Sequence, residues 1–538
     1  MMGKKVLAVK SGRAACSCAA AGGGIAAKNA KSAESFLTGL TGFTGLREVS
    51  VKPAKTKPSG VSWIGDIPEG WEVRRLRYLA EITTGNKDTQ DAQPDGNYPF
   101  YVRSPVIERS NEYTFEGPGI MMAGDGAGAG RIFHYADGKY AVHQRVYRIY
   151  DFKDVTACFL LYFLGAMFPL EMDKGSAQST VPSVRLPMLR DLQVSLPPLP
   201  VQRAIAAFLD EKCGAIDAAV AEAKKGIEEY KAWKKSLIFE VVTGKRRVGF
   251  FNAESKCARD EVVGLPERSE PEGLQGAARR RVAESFSTGL TRFTGLEENL
   301  DNPVNPVKTK PSGVPWIGDV PVGWEVCKTL HSLCMPITDG PHTTPELFDD
   351  GIPFVSAEAV SCGNGSIDFN HVRGFISEAF YNECCRKYIP QRDDIYMIKS
   401  GATTGRVAIV DTDRIFTIWS PLAVFRCNLK RAKPRYVFYY LQSSAYQGQV
   451  ELAWSFGTQQ NIGMRALEEL KMVLPPLTEQ RAIANYLDDK CAAIDAMVAE
   501  KNALIADLEA YKKSLIYEIV TGKREVSNIN ERKKRGPF

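Results

Sequence analysis

The sequence contains no apolar run long enough to cross a bilayer. The longest, Val155 to Phe168, is bounded by Asp154 and Pro169, whereas a spanning helix needs about 20 residues. It is expected to be a buried helix, and the chain to make no use of a membrane. Paired CxxC motifs are also missing among the 12 cysteines. His331, Cys334, His342 and the adjacent Cys384 and Cys385 do not make a four-ligand zinc set. Cys213 and Cys491 fall inside apolar helical patterns, so the thiols read as reduced ones in a cytosolic protein. There is no HExxH, no GxxxxGK[ST] phosphate loop and no GxSxG nucleophile turn. The glycines from Gly124 to Gly130 alternate without GxGxxG spacing, and no acidic residue in a ribose-binding context follows them. Neither a catalytic residue, a metal nor a bound cofactor is expected.

What is present is ordinary soluble composition: 44% hydrophobic and 25% charged residues. A chain of 538 residues exceeds what one core organises, so at least two sizeable domains are expected. The 69 Lys and Arg against 63 Asp and Glu leave a net charge of +6, which suits a polyanionic partner without requiring one. The first 33 residues carry Lys4, Lys5, Lys10, Arg13, Lys28 and Lys31 but no acid. A transit peptide has this composition; with no amphipathic segment following, a disordered leader is the expected reading.

The chain is a duplication. Ala33-Glu34-Ser35-Phe36 through Leu46 returns from Ala283 to Leu296 at a shift of 250; Lys55 to Val73 returns from Lys308 to Val326 at a shift of 253. Leu196 to Glu222 returns from Leu474 to Glu500 at a shift of 278, with 20 of 27 positions identical. The rise from 253 to 278 places 25 extra residues between Trp324 and Leu474. Between these blocks the copies share only scattered landmarks, such as Gly126-Ala127 with Gly130-Arg131 against Gly401-Ala402 with Gly405-Arg406. The functional reading of such repeats is one structural task performed twice, around two segments that recognise different things; the alternative is an old duplication that drifted unevenly.

After Pro197-Pro198, and again after Pro475-Pro476, the pattern becomes a heptad. One seam runs Ala206, Cys213, Val220, Ile227, Lys234, Val241, and the other Leu209, Ile216, Ala223, Tyr230, Leu237. The second copy has Ala484, Cys491, Val498, Ile505, Lys512, Ile519 and Leu487, Ile494, Lys501, Leu508, Leu515. Each helix should end at Val-Thr-Gly-Lys-Arg, with Gly244 and Gly522 in the left-handed terminal position. About 40 residues at about 1.5 Å each extend roughly 60 Å. Antiparallel pairing of two such helices would make a rigid spacer with a variable domain at each end, on the scale of DNA half-sites about 34 Å apart.

The Pro-Pro-Leu turn with Gln202-Arg203-Ala204-Ile205, its copy Gln480-Arg481-Ala482-Ile483, and the duplicated Gly-Trp-Glu-Val and long helix resemble the shared regions of type I restriction-modification specificity subunits. The resemblance covers about residues 55 to 524 and lies in the order and repetition of segments. It implies a mixed α/β (α+β) protein with an internal pseudo-twofold duplication: two target-recognition domains joined by two long antiparallel coiled-coil helices. The expected division is a leader over 1–52, the first recognition domain over 53–200, its helix over 201–246, a polar linker over 247–307, the second domain over 308–475, its helix over 476–524, and a basic tail over 525–538.

In such subunits each variable domain reads one half of a split asymmetric site on double-stranded DNA. The helices set the gap and dock two methyltransferase subunits, which modify adenine with S-adenosylmethionine. A translocating nuclease subunit using ATP and Mg joins them. No Asn or Asp here is followed by Pro-Pro and an aromatic, the signature of an adenine methyltransferase pocket, so methyl transfer is expected from the partner. The leader and the stretch from Arg247 to Asn305 depart from the family pattern. The competing readings are a fused or degraded restriction enzyme, and a coiled-coil scaffold that reads no DNA.

Two segments in each copy are candidates for touching DNA. The first is Met122 to Arg131, with Gly126, Gly128 and Arg131, matched by Lys399 to Arg406, with Lys399, Ser400, Thr403, Thr404 and Arg406. Glycine allows close approach to phosphate, hydroxyls donate, and Arg grips phosphate or a guanine edge; a tight solvated turn needs the same residues. The second precedes each long helix: Ser176, Gln178 and Ser179 against Gln459, Gln460 and Asn461, since Gln and Asn can pair with adenine. Arg103, His143, Gln144, Arg145, His342, Thr343, Thr344 and Trp419 complete the set.

Overall fold

A computed structural model of the chain describes residues 55–175, 182–248, 308–456 and 460–526. The leader, nearly all of the polar linker and of the basic tail, and candidates Ser176, Gln178, Ser179 and Gln459 lie outside the described residues. The chain divides into two units, one of Met1–Lys224 with Lys501–Phe538, the other Lys225–Glu500. Both divisions fall inside long helices, Leu199–Val242 and Leu477–Val520.

In the first unit two four-stranded sheets form the head. One runs Glu81–Thr84, Val146–Tyr150, Gly119–Ala123, Phe133–Ala136; the other runs Glu108–Ser110, Tyr98–Tyr101, Lys139–Val142, Phe115–Glu116. Most pairings are antiparallel, but Tyr98–Tyr101 and Lys139–Val142 run parallel. Strand Gly119–Ala123 is buried throughout, as expected of a strand covered on both faces. The apolar run becomes helix Ala157–Gly175, with Phe159, Phe163, Leu164 and Phe168 fully buried.

The second head has almost no sequence in common with the first, yet repeats this topology with one strand fewer in the second sheet. Thr338–Asp339, Leu422–Phe425, Ile395–Ile398 and Val407–Ile409 form one sheet; Phe375–Ile376, Ile352–Val355 and Thr417–Ile418 form the other. The parallel pair recurs between Ile352–Val355 and Thr417–Ile418. Helices Ala357–Cys362 and Glu378–Cys385 lie between Ile352–Val355 and Ile395–Ile398, and account for much of the longer second copy.

The repeated blocks build the frame around each head. Glu72–Arg75 pairs with Gln193–Leu196, and Glu325–Lys328 with Lys471–Leu474, both antiparallel, so the chain enters and leaves each head on adjacent strands. The helices begin at Leu199 and Leu477 rather than at 201 and 476, and end at Val242 and Val520 rather than at 246 and 524. Pro200 is tolerated in a first turn, which lets the first helix start early. Gly244 and Gly522 take φ of +76° and +74°, so the left-handed terminus stops both. The expected seams are buried, except that Tyr230, Lys234, Val498, Lys501 and Lys512 are half-buried.

Each unit contains the start of one helix and the end of the other. In the second, Lys234 Nζ meets Asp495 at 2.6 Å and Arg247 meets Glu479 at 3.3 Å, so residue numbers rise along one segment as they fall along the other. The equivalent residues of the first unit, Lys512 and Asp217, also meet at 2.6 Å. The end of each helix is seated on a head: a Cβ on Gly522 would lie 2.4 Å from Pro68, and one on Gly244 2.6 Å from Pro321. Ser195 Oγ donates to Val520 O at 2.9 Å in the first unit, and Tyr436 Oη to Val242 O at 3.2 Å in the second.

Because the Asp217 side chain is 57% exposed, its charge stays hydrated when its partner is removed. Lys512→Met is therefore expected to shift stability by less than about 1 kcal/mol in denaturant titration. A loss of several kcal/mol would mean that Asp217 is desolvated in the folded chain.

Candidate nucleic-acid interface

In the first head the glycine-rich segment is a compact connection between Gly119–Ala123 and Phe133–Ala136. Gly130 N donates to Ala123 O at 2.9 Å, and Gly126 and Gly130 take positive φ. A Cβ on Gly128 would lie 2.3 Å from Ile132 Cδ1, and one on Gly130 2.8 Å from Met172 and Phe168. Packing accounts for Gly128 and Gly130, and the positive φ of the turn for Gly126. Arg131 forms an ion pair with Asp173.

Asp125, the second residue of that loop, is not among the expected residues. Its two oxygens accept from Arg103 Nη1 at 2.8 Å and from Arg145 Nη1 at 2.7 Å. Burial pushes its carboxyl up, but the hydrogen bonds and charges of Arg145 and Arg103 outweigh this and hold it below the usual range. The arginines follow the ends of the parallel strands, so topology brings together what the sequence separates. His143 corrects an expectation: it is 2% exposed, too deep to meet a duplex directly. Its Nδ1 instead accepts from Arg145 N at 3.0 Å, and Nε2 lies 3.4 Å from Asp88, so it positions the strand end. Gln144 is exposed and donates to Asp88 at 3.1 Å.

The second head arranges its loop with different chemistry. Asp339, also missed and 1% exposed, lies 3.3 Å from Lys399, 3.1 Å from His342 and in contact with Lys387. Burial pushes that carboxyl up and the two lysines draw it below the usual range. Thr343 is exposed and Ser400 and Thr403 half-buried. Thr404 Oγ1 donates within the turn to Gly401 O at 2.7 Å, and Arg406 donates to Ser361 O at 3.0 Å. The Trp419 ring carries the Arg373 guanidinium at 3.7 Å.

In the second head the two candidate segments converge. Gly401 N donates to Gln460 O at 3.0 Å and Ile462 N to Lys399 O at 2.9 Å, leaving Gln460 and Asn461 exposed beside the loop. In the first head Gly126 N donates to Pro182 O at 3.0 Å and Val184 N to Gly124 O at 2.7 Å, which ties the loop to the chain just beyond Ser179. Two cations on one carboxylate, beside exposed amides in the second head, form a surface that can hydrogen-bond to phosphates and base edges. Among the described residues, no group of three or more His, Cys, Asp or Glu could hold a metal ion, and no helix is long and apolar enough to cross a membrane.

The family description "type I restriction modification DNA specificity domain" matches residues 68–225 and 323–506. The chain is 22% identical over 472 residues to the type I restriction enzyme EcoDI specificity subunit of Escherichia coli, covering 85% of this chain and 89% of that protein. It is 22% identical over 480 residues to the MjaVIII specificity subunit of Methanocaldococcus jannaschii, covering 86% and 95%. A structure solved in work on complex assembly and conformational transition of the type I R-M system shares the fold, with a TM-score of 0.53 and 15% identity over 84% of this chain and 98% of that one.

Proposed function

Since the chain belongs to the type I restriction-modification DNA specificity family, we propose that its two heads each read one half of a bipartite, asymmetric site on double-stranded DNA. The chain is the recognising rather than the reacting subunit of its complex. The observation that carries this reading is the contrast between copies: one topology and one frame are kept, while the residues at the loop ends differ, Arg103 and Arg145 on Asp125 against Lys387 and Lys399 on Asp339. A scaffold has no use for two heads alike in backbone and unlike in contact chemistry.

The finer assembly follows the family pattern. Two methyltransferase subunits dock on the helices and bring S-adenosylmethionine; a translocating nuclease subunit brings ATP and Mg; the complex works in the cytoplasm. The helices set the gap between half-sites through the antiparallel segments held by Lys234–Asp495 and Lys512–Asp217.

Mapping methylated adenines in DNA from cells that carry this chain and its methyltransferase partner is expected to return a split motif of two unlike halves at a fixed gap. Binding should weaken steeply with salt, by about a thousandfold between 50 and 200 mM if about six phosphates are contacted. A flat salt response would favour the scaffold. Methylation or cleavage by the purified chain alone would favour a fused enzyme.

A further inference from the structure

We propose that Arg103, Asp125 and Arg145 form a fork that reads a guanine in the half-site of the first head, with Asp125 as the positioning residue; this rests on the reading of the heads as DNA readers. Each guanidinium has five N–H donors. Arg103 and Arg145 each give one, from Nη1, to a separate oxygen of Asp125, and make no other side-chain hydrogen bond among the described residues. Their side chains are 40% and 61% exposed. The trio keeps a net charge of +1 and a free donor edge on each arginine. Guanine presents two acceptors, O6 and N7, to the major groove, which one guanidinium edge matches.

The carboxylate decides between a base and a phosphate. A phosphate grip needs positive charge, and Asp125 cancels half of it. A base-reading fork needs a fixed plane, and a carboxylate bonded to both guanidinia supplies one before DNA arrives. The backbone reinforces it: Gly124 N donates to Arg145 O at 3.0 Å, His143 N to Tyr101 O at 3.0 Å, and a Cβ on Gly128 would lie 3.1 Å from Arg103 O. Lysine in place of either arginine keeps the charge and loses the planar edge.

The test uses the full chain assembled with its methyltransferase partner, on duplexes bearing the motif mapped in vivo. Each guanine is replaced in turn by 7-deazaguanine, which lacks the N7 acceptor. Wild type is expected to lose between about fivefold and a hundredfold in affinity at one guanine of one half-site. That penalty should vanish in Arg145→Lys or Arg103→Lys and shrink in Asp125→Asn, with penalties in the other half unchanged. The fork is overturned if no guanine in either half is penalised, if every penalty persists in both lysine variants, or if the variants lower affinity equally for all duplexes, as phosphate contacts would. A wild-type methylation map without a split motif would instead defeat the reading of the heads themselves.

Discussion

Gly85→Ala and Gly340→Ala are each expected to unfold the head that carries them, at a cost above about 3 kcal/mol. A methyl on Gly85 would lie 1.9 Å from Val142 O and 2.6 Å from His143 O; on Gly340 it would lie 2.0 Å from Ile418 O and 2.8 Å from Trp419 C. These are backbone atoms, so no rotamer change relieves the overlap. Each glycine follows an edge strand of one sheet, Glu81–Thr84 or Thr338–Asp339, and meets the end of a parallel-paired strand of the other, Lys139–Val142 or Thr417–Ile418. The methyl would force the two sheets apart where the arginine fork and the Asp339 cluster are anchored. Forced overpacking ordinarily costs about 1 to 3 kcal/mol, and a main-chain obstacle leaves less room to relax than a side chain does. Gly70→Ala and Gly323→Ala supply the contrast: a Cβ there meets nothing within 4 Å, so stability should change by less than about 1 kcal/mol. Hydrogen exchange resolved by segment should show protection lost in the substituted head only. Equal protection in Gly340→Ala and Gly323→Ala would refute the account.

Much of the frame was legible in the sequence because it is written there twice. The repeats at shifts of 253 and 278 mark the two inserted heads, and the heptad seams anticipate which helix residues are buried. The heads were not legible, since the shared topology is carried by strands of two to five residues whose sequences diverged. One signal of the heads is present in the sequence: Ile82-Thr83-Thr84-Gly85 and Ile337-Thr338-Asp339-Gly340 share Ile-Thr-x-Gly at a shift of 255, and this marks the glycine where the sheets meet. Of the expected contact residues, Gly126 and Gly128 are explained by turn geometry and packing, and His143 by support of a strand end. Arg103 and Gln144 lie near the glycine-rich loop of the first head, and Lys399, Gln460 and Asn461 around that of the second. Asp125 and Asp339 escaped because a lone acid beside basic residues reads as solvated charge until tertiary pairing collects its partners.

Gln202 and Gln480, which open the repeated Gln-Arg-Ala-Ile, fasten each head to its helix. Gln480 Nε2 donates to Arg431 O at 2.9 Å and to Pro475 O at 2.8 Å, while its carbonyl accepts from Lys433 N at 2.7 Å. Gln202 repeats all three bonds, with Asp154 O, Pro197 O and Thr156 N. Both residues are fully buried. The bonded N–H groups lie immediately before helices Pro434–Gln442 and Ala157–Gly175, where helix starts leave donors without partners. Gln480→Leu keeps the volume but strands one N–H and two carbonyls at about 1 to 3 kcal/mol each, and a loss of roughly 3 to 5 kcal/mol is expected in denaturant titration. Gln480→Glu adds a sign that a simple packing defect cannot produce. An ionised carboxylate there still accepts from Lys433 N but faces two carbonyl oxygens, so its folded pKa must rise above the unfolded value of about 4.3. Below that unfolded value both states are protonated and the acid donates one of the lost bonds; as pH climbs through the raised folded pKa, this relief disappears. The Glu variant should therefore approach wild type near pH 4.5 and fall below the Leu variant near pH 8. A Glu variant whose deficit is the same at both pH values would show that the amide donors do not hold the head to the helix.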